Sequence, residues 1–249
     1  MREADADPGA ASAALDAETE RALGAVSTAT LVQILHRRGI ATTFLAGVSA
    51  GRPDLRMVGA ARTLRYTALR EDVFRERGGG MNAQKRVIDS IRPGEVLMIE
   101  ARGELGAGTI GDILALRLRT RGGAGFVTDG CVRDHGAIQD LELPFYSAGS
   151  HQAVLGRRHV PMDHDLPITC GGVLVMPGDV VVGDRDGVVV VPASLAQEVA
   201  AIAIAQESEE RFIVEQVAAG GAIDGLYPLG VARRAEYDAW LKGGTDEVS

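Results

Sequence analysis

Apolar residues at Leu31, Ile34 and Leu35 share one face of a predicted helix over residues 27–38, and Gly39 stops it. Residues 56–66 alternate in places and read as a strand. A helix over 82–91 turns Val87, Ile88 and Ile91 inward, and Pro93-Gly94 makes the turn after it. The run 95–101 is apolar enough for a buried strand. A helix over 109–121 follows, with Thr109 as N-cap and Asp112 three residues on, and Gly122-Gly123 ends it. Residues 125–128 form the next strand. Strand, helix and strand with short links make a βαβ unit, so these two strands should be parallel.

Shorter strands are expected at 144–148, 172–176, 179–183 and 188–191. Pro177-Gly178 and Asp186-Gly187 lie between them, the second a hairpin signal. Ser194 should cap a long helix reaching Ala218, with Gln197 in the capping-box position. Residues 1–15, rich in Ala, Asp and Gly, read as a disordered tail, 16–219 as one α/β domain, and 220–249 as a C-terminal extension. That extension carries Tyr227-Pro228, Tyr237 and Trp240 and should pack on the domain edge or on a neighbour.

Composition narrows the partners. Of the 249 residues 46% are hydrophobic but only 4% aromatic, so the core is aliphatic and base-stacking platforms are not expected. The net charge of −8 without a basic block argues against nucleic acid. No apolar run reaches membrane-spanning length, and the acidic start is unlike a secretory signal. Cys131 and Cys170 form no spacing motif and are expected as reduced thiols. Cytoplasm is the expected location.

Ligands of a parallel βαβ unit sit outside the carboxyl ends of its strands, where two segments meet. Gly111, Asp112, Ile113 and Leu114 open a helix whose unpaired N–H groups favour an anion. Beyond the next strand, Arg133 offers a planar fork for a carboxylate or a developing oxyanion, and Asp134 a hard oxygen ligand for Mg²⁺ or Mn²⁺. Together they suit a small 2-oxo acid. The plainer alternative is that Asp112 only caps its helix and Arg133 and Asp134 form a surface ion pair. A competing motif is Gly106-Ala-Gly108-Thr-Ile-Gly111, a G-x-G-x-x-G with Asp129 at the end of the following strand. The long link through Gly103-Glu104-Leu105, the acid at Asp112 and the later hairpins speak against a dinucleotide. His159 and His164, with Asp163 and Asp165, lie around Pro161 and read as a polar loop rather than a metal cluster. His135 either lines the site or faces solvent. Glu207 and Glu210 share a helix face, as a solvated pair or as carboxylates reaching across a subunit boundary.

The run Gly111-Asp112-Ile113-Leu114, then Arg121-Gly-Gly-Ala-Gly-Phe-Val-Thr-Asp129-Gly-Cys-Val-Arg133-Asp134, resembles the RraA-like proteins. That family includes the class II 4-hydroxy-4-methyl-2-oxoglutarate and 4-carboxy-4-hydroxy-2-oxoadipate aldolases. The resemblance extends over about residues 26–219, with Arg56-Met-Val-Gly-Ala-Ala61 and the stretch from Pro177-Gly178-Asp179 to Pro192. It implies a swivelling β/β/α domain, a central mixed sheet with flanking helices, assembled as homotrimers or hexamers with sites between subunits. It further implies that Asp134 binds the metal, that Arg133 binds pyruvate and steadies its enolate, and that the amides of 111–114 hold the carboxylate. Asp112 would order a metal-bound water for proton transfer, and Glu207 or Glu210 would reach the site from a neighbouring subunit.

The family's ribonuclease E-binding regulators lack the acid after the arginine; Asp134 is present here, which is similar to the metal-binding branch. The expectation is therefore a lyase using Mg²⁺ or Mn²⁺ that cleaves a 4-hydroxy-2-oxo acid to pyruvate, with oxaloacetate decarboxylation as a side activity. A non-catalytic regulator, and a dehydratase or hydratase of 2-oxo sugar acids, are the alternatives.

Overall fold

The run Glu95-Val-Leu-Met-Ile-Glu100 sits at the middle of a curled mixed sheet in the computed structural model, which describes residues 15–243. The tail expected over 1–15 falls outside the described residues, apart from Leu15, as does the end of the C-terminal extension, 244–249.

Helices α1 (Ala17–Ala25) and α2 (Thr28–Arg37) precede the short β1 (Ser49–Ala50) and the long β2 (Met57–Ala68). α3 (Glu71–Arg77) and α4 (Ala83–Ser90) lead to β3 (Glu95–Glu100), α5 (Asp112–Thr120) and β4 (Gly125–Thr128). Next come β5 (Cys131–Val132), α6 (His135–Gln139), β6 (Phe145–Ser147), β7 (Gly149–Ser150) and β8 (His159–His164). The hairpins β9 (Ile168–Cys170) with β10 (Val173–Val175) and β11 (Val180–Gly183) with β12 (Val188–Val191) lead to the long α7 (Ala196–Ala218) and then α8 (Arg234–Gly243).

The main sheet runs β1-β6-β4-β3-β2-β11-β12, with β8 added along the second half of β2. Strands β2, β3, β4 and β6 are parallel, so the βαβ reading of β3, α5 and β4 holds, as does the expected mixed sheet with flanking helices. Alternation along β3 sorts two cores. Leu97 and Ile99 pack with α4, α5 and Phe126 on one face, and Val96 and Met98 pack with the β9–β10 hairpin on the other. Burying each such side chain is worth roughly 1.5–3 kcal/mol. Strand pair β11–β12 is also two-faced: Val181, Val188 and Val190 join the second core, while Val180, Val182, Val189 and Val191 pack under α1, α2 and α7.

Several boundaries differ from the sequence expectation. Thr109 does not cap α5; its side chain donates to the Cys131 carbonyl, and Gly111 is the N-cap. Ser194 lies in a 3-10 turn, α7 begins at Ala196, and Gln197 donates instead to Asp16. Residues 159–164 are a strand rather than a loop. Pro161 is tolerated there because β8 pairs only with β2, leaving an edge that needs no donor from proline.

Candidate active site at the end of the parallel strands

Two segments leave the carboxyl ends of β3 and β4 and run side by side. Gly108 bridges Cys131 in parallel register, and Thr109 N–H donates to the Cys131 carbonyl at 2.7 Å. Arg133 N–H donates to the Ile110 carbonyl at 2.8 Å. On the other side β5 pairs with β7, and His151 N–H donates to the Val132 carbonyl. The Arg133–Asp134 corner is therefore laced to backbone on both sides.

Two glycines permit the approach. A Cβ on Gly108 would stand 2.2 Å from Arg133 Cγ, and one on Gly111 would stand 2.9 Å from Asp134 Oδ2. The G-x-G-x-x-G stretch thus serves packing against residues 131–134. Asp129, the would-be ribose ligand, accepts from the N–H groups of Ala101 and Gly103 and ties down the chain after β3. This use of glycine was visible in sequence only as a motif of another meaning.

Arg133 and Asp134 sit side by side but are not closely paired: Nη2 and Oδ2 are 3.8 Å apart, and both side chains are about a third exposed. Arg133 Nε is buried with no hydrogen-bond partner among the described residues. Asp134 has φ 54°, the left-handed region, which an aspartate adopts at some cost and which marks functional corners more often than ordinary ones. In the first turn of α5, Ile113 N–H donates to Asp112 Oδ1, while the N–H groups of Gly111, Asp112 and Leu114 have no partner among the described residues. Helix geometry leaves such groups free, and they attract an anion.

The structure brings Gly111, Asp112, Ile113, Leu114, Arg133 and Asp134 into one place. His135 packs edge-on against Phe145. Glu207 and Glu210 do not join them; Glu207 accepts from Ser27 N–H and Thr30 Oγ1 at the start of α2, and Glu210 accepts from Gln206. Cys131 and Cys170 are buried free thiols whose ionisation burial pushes up, so neither is a ready nucleophile. A cavity of about 570 Å³ lined by Glu100, Arg102, Asp129 and Thr169 lies at the same sheet end, but the site residues do not line it.

A divalent cation needs an uncommitted hard oxygen donor. Asp134 fits: among the described residues its carboxylate has Arg133 at 3.8 Å and no closer side-chain donor, and Gly111 leaves the space beside Oδ2 open. Among the described residues no group of three or more His, Cys, Asp or Glu side chains is placed to hold an ion. Water or a second subunit would have to complete the shell.

The model of the family described as Aldolase/RraA matches residues 26–190. The chain belongs to the RraA-like family. A relative in Halalkalibacterium halodurans, named "Putative 4-hydroxy-4-methyl-2-oxoglutarate aldolase", is 34% identical over 143 residues, which are 57% of this chain and 63% of that protein. The match thus spans less than two thirds of that relative. One of the same name in Ectopseudomonas mendocina is 33% identical over 112 residues, 45% of this chain and 68% of that protein. The crystal structure of Streptomyces coelicolor RraAS2, described as an unusual member of the RNase ES inhibitor RraA protein family, superposes with a TM-score of 0.73. It is 37% identical, over 80% of this chain and 96% of that one. A Pseudomonas syringae protein gives 0.75 at 27% identity, over 86% and 99%. The family match bears out the expected family, and the two superpositions bear out the expected fold.

Proposed function

We propose that this RraA-like protein is a divalent-metal-dependent carbon–carbon lyase that cleaves a small 4-hydroxy-2-oxo acid to pyruvate and a second carbonyl compound. The observation that carries this reading is Arg133, whose buried Nε lacks a partner among the described residues, beside Asp134 and the N–H groups of Gly111, Asp112 and Leu114, which are likewise uncommitted among them. The amides take the substrate carboxylate. Arg133 faces the 2-oxo oxygen and balances the negative charge that reaches it as the C3–C4 bond breaks. The C4 hydroxyl gives up its proton as that carbon becomes a carbonyl, and C3 of the enolate gains one to yield pyruvate; Asp112 holds the water that carries both. Asp134 would hold Mg²⁺ or Mn²⁺, which when bound supplies Lewis acidity to the 2-oxo group. Loss of CO₂ from oxaloacetate passes through the same enolate.

Homotrimers or hexamers suit this reading, because the site is open in one chain and apolar Ile113 and Leu116 on α5 lie exposed beside it. No helix among the described residues is long and apolar enough to cross a membrane. The cytoplasm remains the proposed location.

The test is oxaloacetate decarboxylation by purified protein with Mg²⁺ or Mn²⁺, before and after chelation. Metal-dependent pyruvate release, abolished in Asp134→Ala together with Mn²⁺ binding, is the expected result. Asp134→Ala with metal binding and turnover intact overturns the assignment. A second reading, a non-catalytic regulator of a ribonuclease, is favoured by the likeness to the Streptomyces coelicolor protein. It predicts no turnover of any oxo acid with any metal, and a ribonuclease recovered as partner.

A further inference from the structure

The loop bearing the free amides is held from behind by two side chains that the proposed chemistry does not use. The carbonyl oxygen of Thr109 accepts from Tyr66 Oη at 2.9 Å and from Gln84 Nε2 at 2.7 Å. All three residues are buried, with relative exposures of 0% for Tyr66, 3% for Gln84 and 1% for Thr109. A carbonyl oxygen has two lone pairs, and here each meets a buried donor. The donors come from separate elements, β2 and the first turn of α4. The phenol is itself steadied by the His159 ring, 5.4 Å away between centroids. Satisfying a buried carbonyl takes one donor. A second brings its own desolvation cost, and that cost has to be offset by something the geometry gains.

What it gains is the orientation of one peptide plane. Because the peptide unit is planar, fixing the Thr109 oxygen fixes the direction of the Ile110 N–H on the far side of that plane. Thr109 is held at its other end too, since its N–H and Oγ1 both donate to the Cys131 carbonyl, at 2.7 and 2.9 Å. The next carbonyl, of Ile110, accepts Arg133 N–H. Immediately after come Gly111 and Asp112, whose N–H groups have no partner among the described residues. The chain therefore enters the first turn of α5 at an angle set by Tyr66 and Gln84, and the same two side chains set how far those amides stand from the Arg133 guanidinium.

We infer that Tyr66 and Gln84 are positioning residues, which act on the bound 2-oxo acid through Thr109 by fixing the amides of residues 111–114 relative to Arg133. This rests on the lyase reading above. Neither side chain touches the substrate.

The test compares the unaltered protein with Tyr66→Phe and Gln84→Leu, each of which removes one donor and little volume. The measurements are the dissociation constant for oxalate, a planar stand-in for the pyruvate enolate, kcat and KM for oxaloacetate, Mn²⁺ affinity and Tm. The expected result is oxalate affinity and kcat each lowered about tenfold, because small misplacements of binding groups are costly in rate. Mn²⁺ affinity should stay as it was, since Asp134 is untouched. If both variants keep the oxalate affinity and kcat of the parent while Tm falls, the two donors only stabilise the fold and the inference is overturned. If the unaltered protein neither binds oxalate nor releases pyruvate, the lyase reading fails first and takes this inference with it, a result already visible without any substitution.

Discussion

At Gly108 a single hydrogen atom in place of a methyl group lets Arg133 lie flat against the neighbouring segment. The Cβ of an alanine would stand 2.2 Å from Arg133 Cγ and 2.9 Å from its backbone N, and the second of these atoms belongs to a laced corner that cannot swing aside. Gly108→Ala is therefore expected to displace the guanidinium and, under the proposed lyase function, to lower oxaloacetate turnover about 100-fold, the effect typical of a misplaced binding group. Kinetics on the folded variant check it; unchanged kcat would mean the corner yields without cost. His159 makes a different prediction. Burial, with the Arg102 guanidinium adding to it, pushes its imidazole down to about 4 from an ordinary 6.5. Between those values the unfolded chain binds a proton that the folded chain refuses. The contribution of neutral His159 is thus complete above pH about 6.5 and is lost as pH falls toward 4, by on the order of 3 kcal/mol. Denaturant midpoints measured across pH 7 to 4 should fall, and His159→Phe should flatten that fall by removing its proton linkage.

Between elements, the decisive contact is the one Glu207 makes from α7 to the start of α2. Its Oε1 accepts Ser27 N–H at 2.9 Å and Thr30 Oγ1 at 2.8 Å, doing from another helix what a capping-box glutamate does from its own. Burial alone would raise this carboxyl, but these hydrogen bonds hold it below the usual range. Among the described residues Glu210 accepts only from Gln206 of its own helix, at 2.9 Å, and so remains available to a neighbouring subunit. Glu207→Ala is expected to lower Tm by about 3 °C, roughly 1 kcal/mol of lost capping. Glu210→Gln should leave Tm alone and reduce turnover if it reaches an adjacent site; the reverse pattern would assign the functional role to Glu207. The sequence left these two carboxylates unseparated, since their spacing puts them on one face and says nothing of Ser27, 180 residues away. The same limit hid Tyr66 and Gln84, which meet Thr109 across 43 and 25 residues. What lies within a period was legible: the apolar face of α2, the inward Val87 and Ile88 of α4, and the apolar run of β3, whereas the side-chain caps Ser27 and Asn82 emerge only in the structure. Helices α1 and α3 were missed because they carry little periodic signal, Leu23 being the one buried aliphatic residue of α1 and α3 having no buried residue.

At the scale of the whole molecule, three buried clusters among the described residues pack the sheet against its helices and hairpin, and a fourth stands apart at the end of α7. Phe212, Ile213, Leu226 and Tyr237, with Leu229 and Trp240 against them, share no residue with the clusters around the sheet. The segment after α7 folds back onto it through Trp240 Nε1 donating to Glu215, the Arg234–Glu209 ion pair, and the Arg234 guanidinium 5.3 Å from the Tyr237 ring centre. These contacts involve only the last turns of α7, whereas Ala196, Val199, Ala200 and Ala203 at its beginning pack under β11 and β12. A chain ending at Ala219 should therefore keep its sheet. It loses the cover of Phe212 and Ile213, so its apolar surface grows and its solubility falls. Cooperative thermal unfolding should survive, with Tm lowered by no more than about 5 °C, because the stability of a domain of this size is set by the clusters that remain. Circular dichroism and light scattering on the truncated protein distinguish the cases. A folded chain that self-associates agrees with a boundary near residue 219. A chain without a cooperative transition would make residues 220–243 part of the folding unit, and the fourth cluster would then be a requirement of the sheet rather than an addition to it.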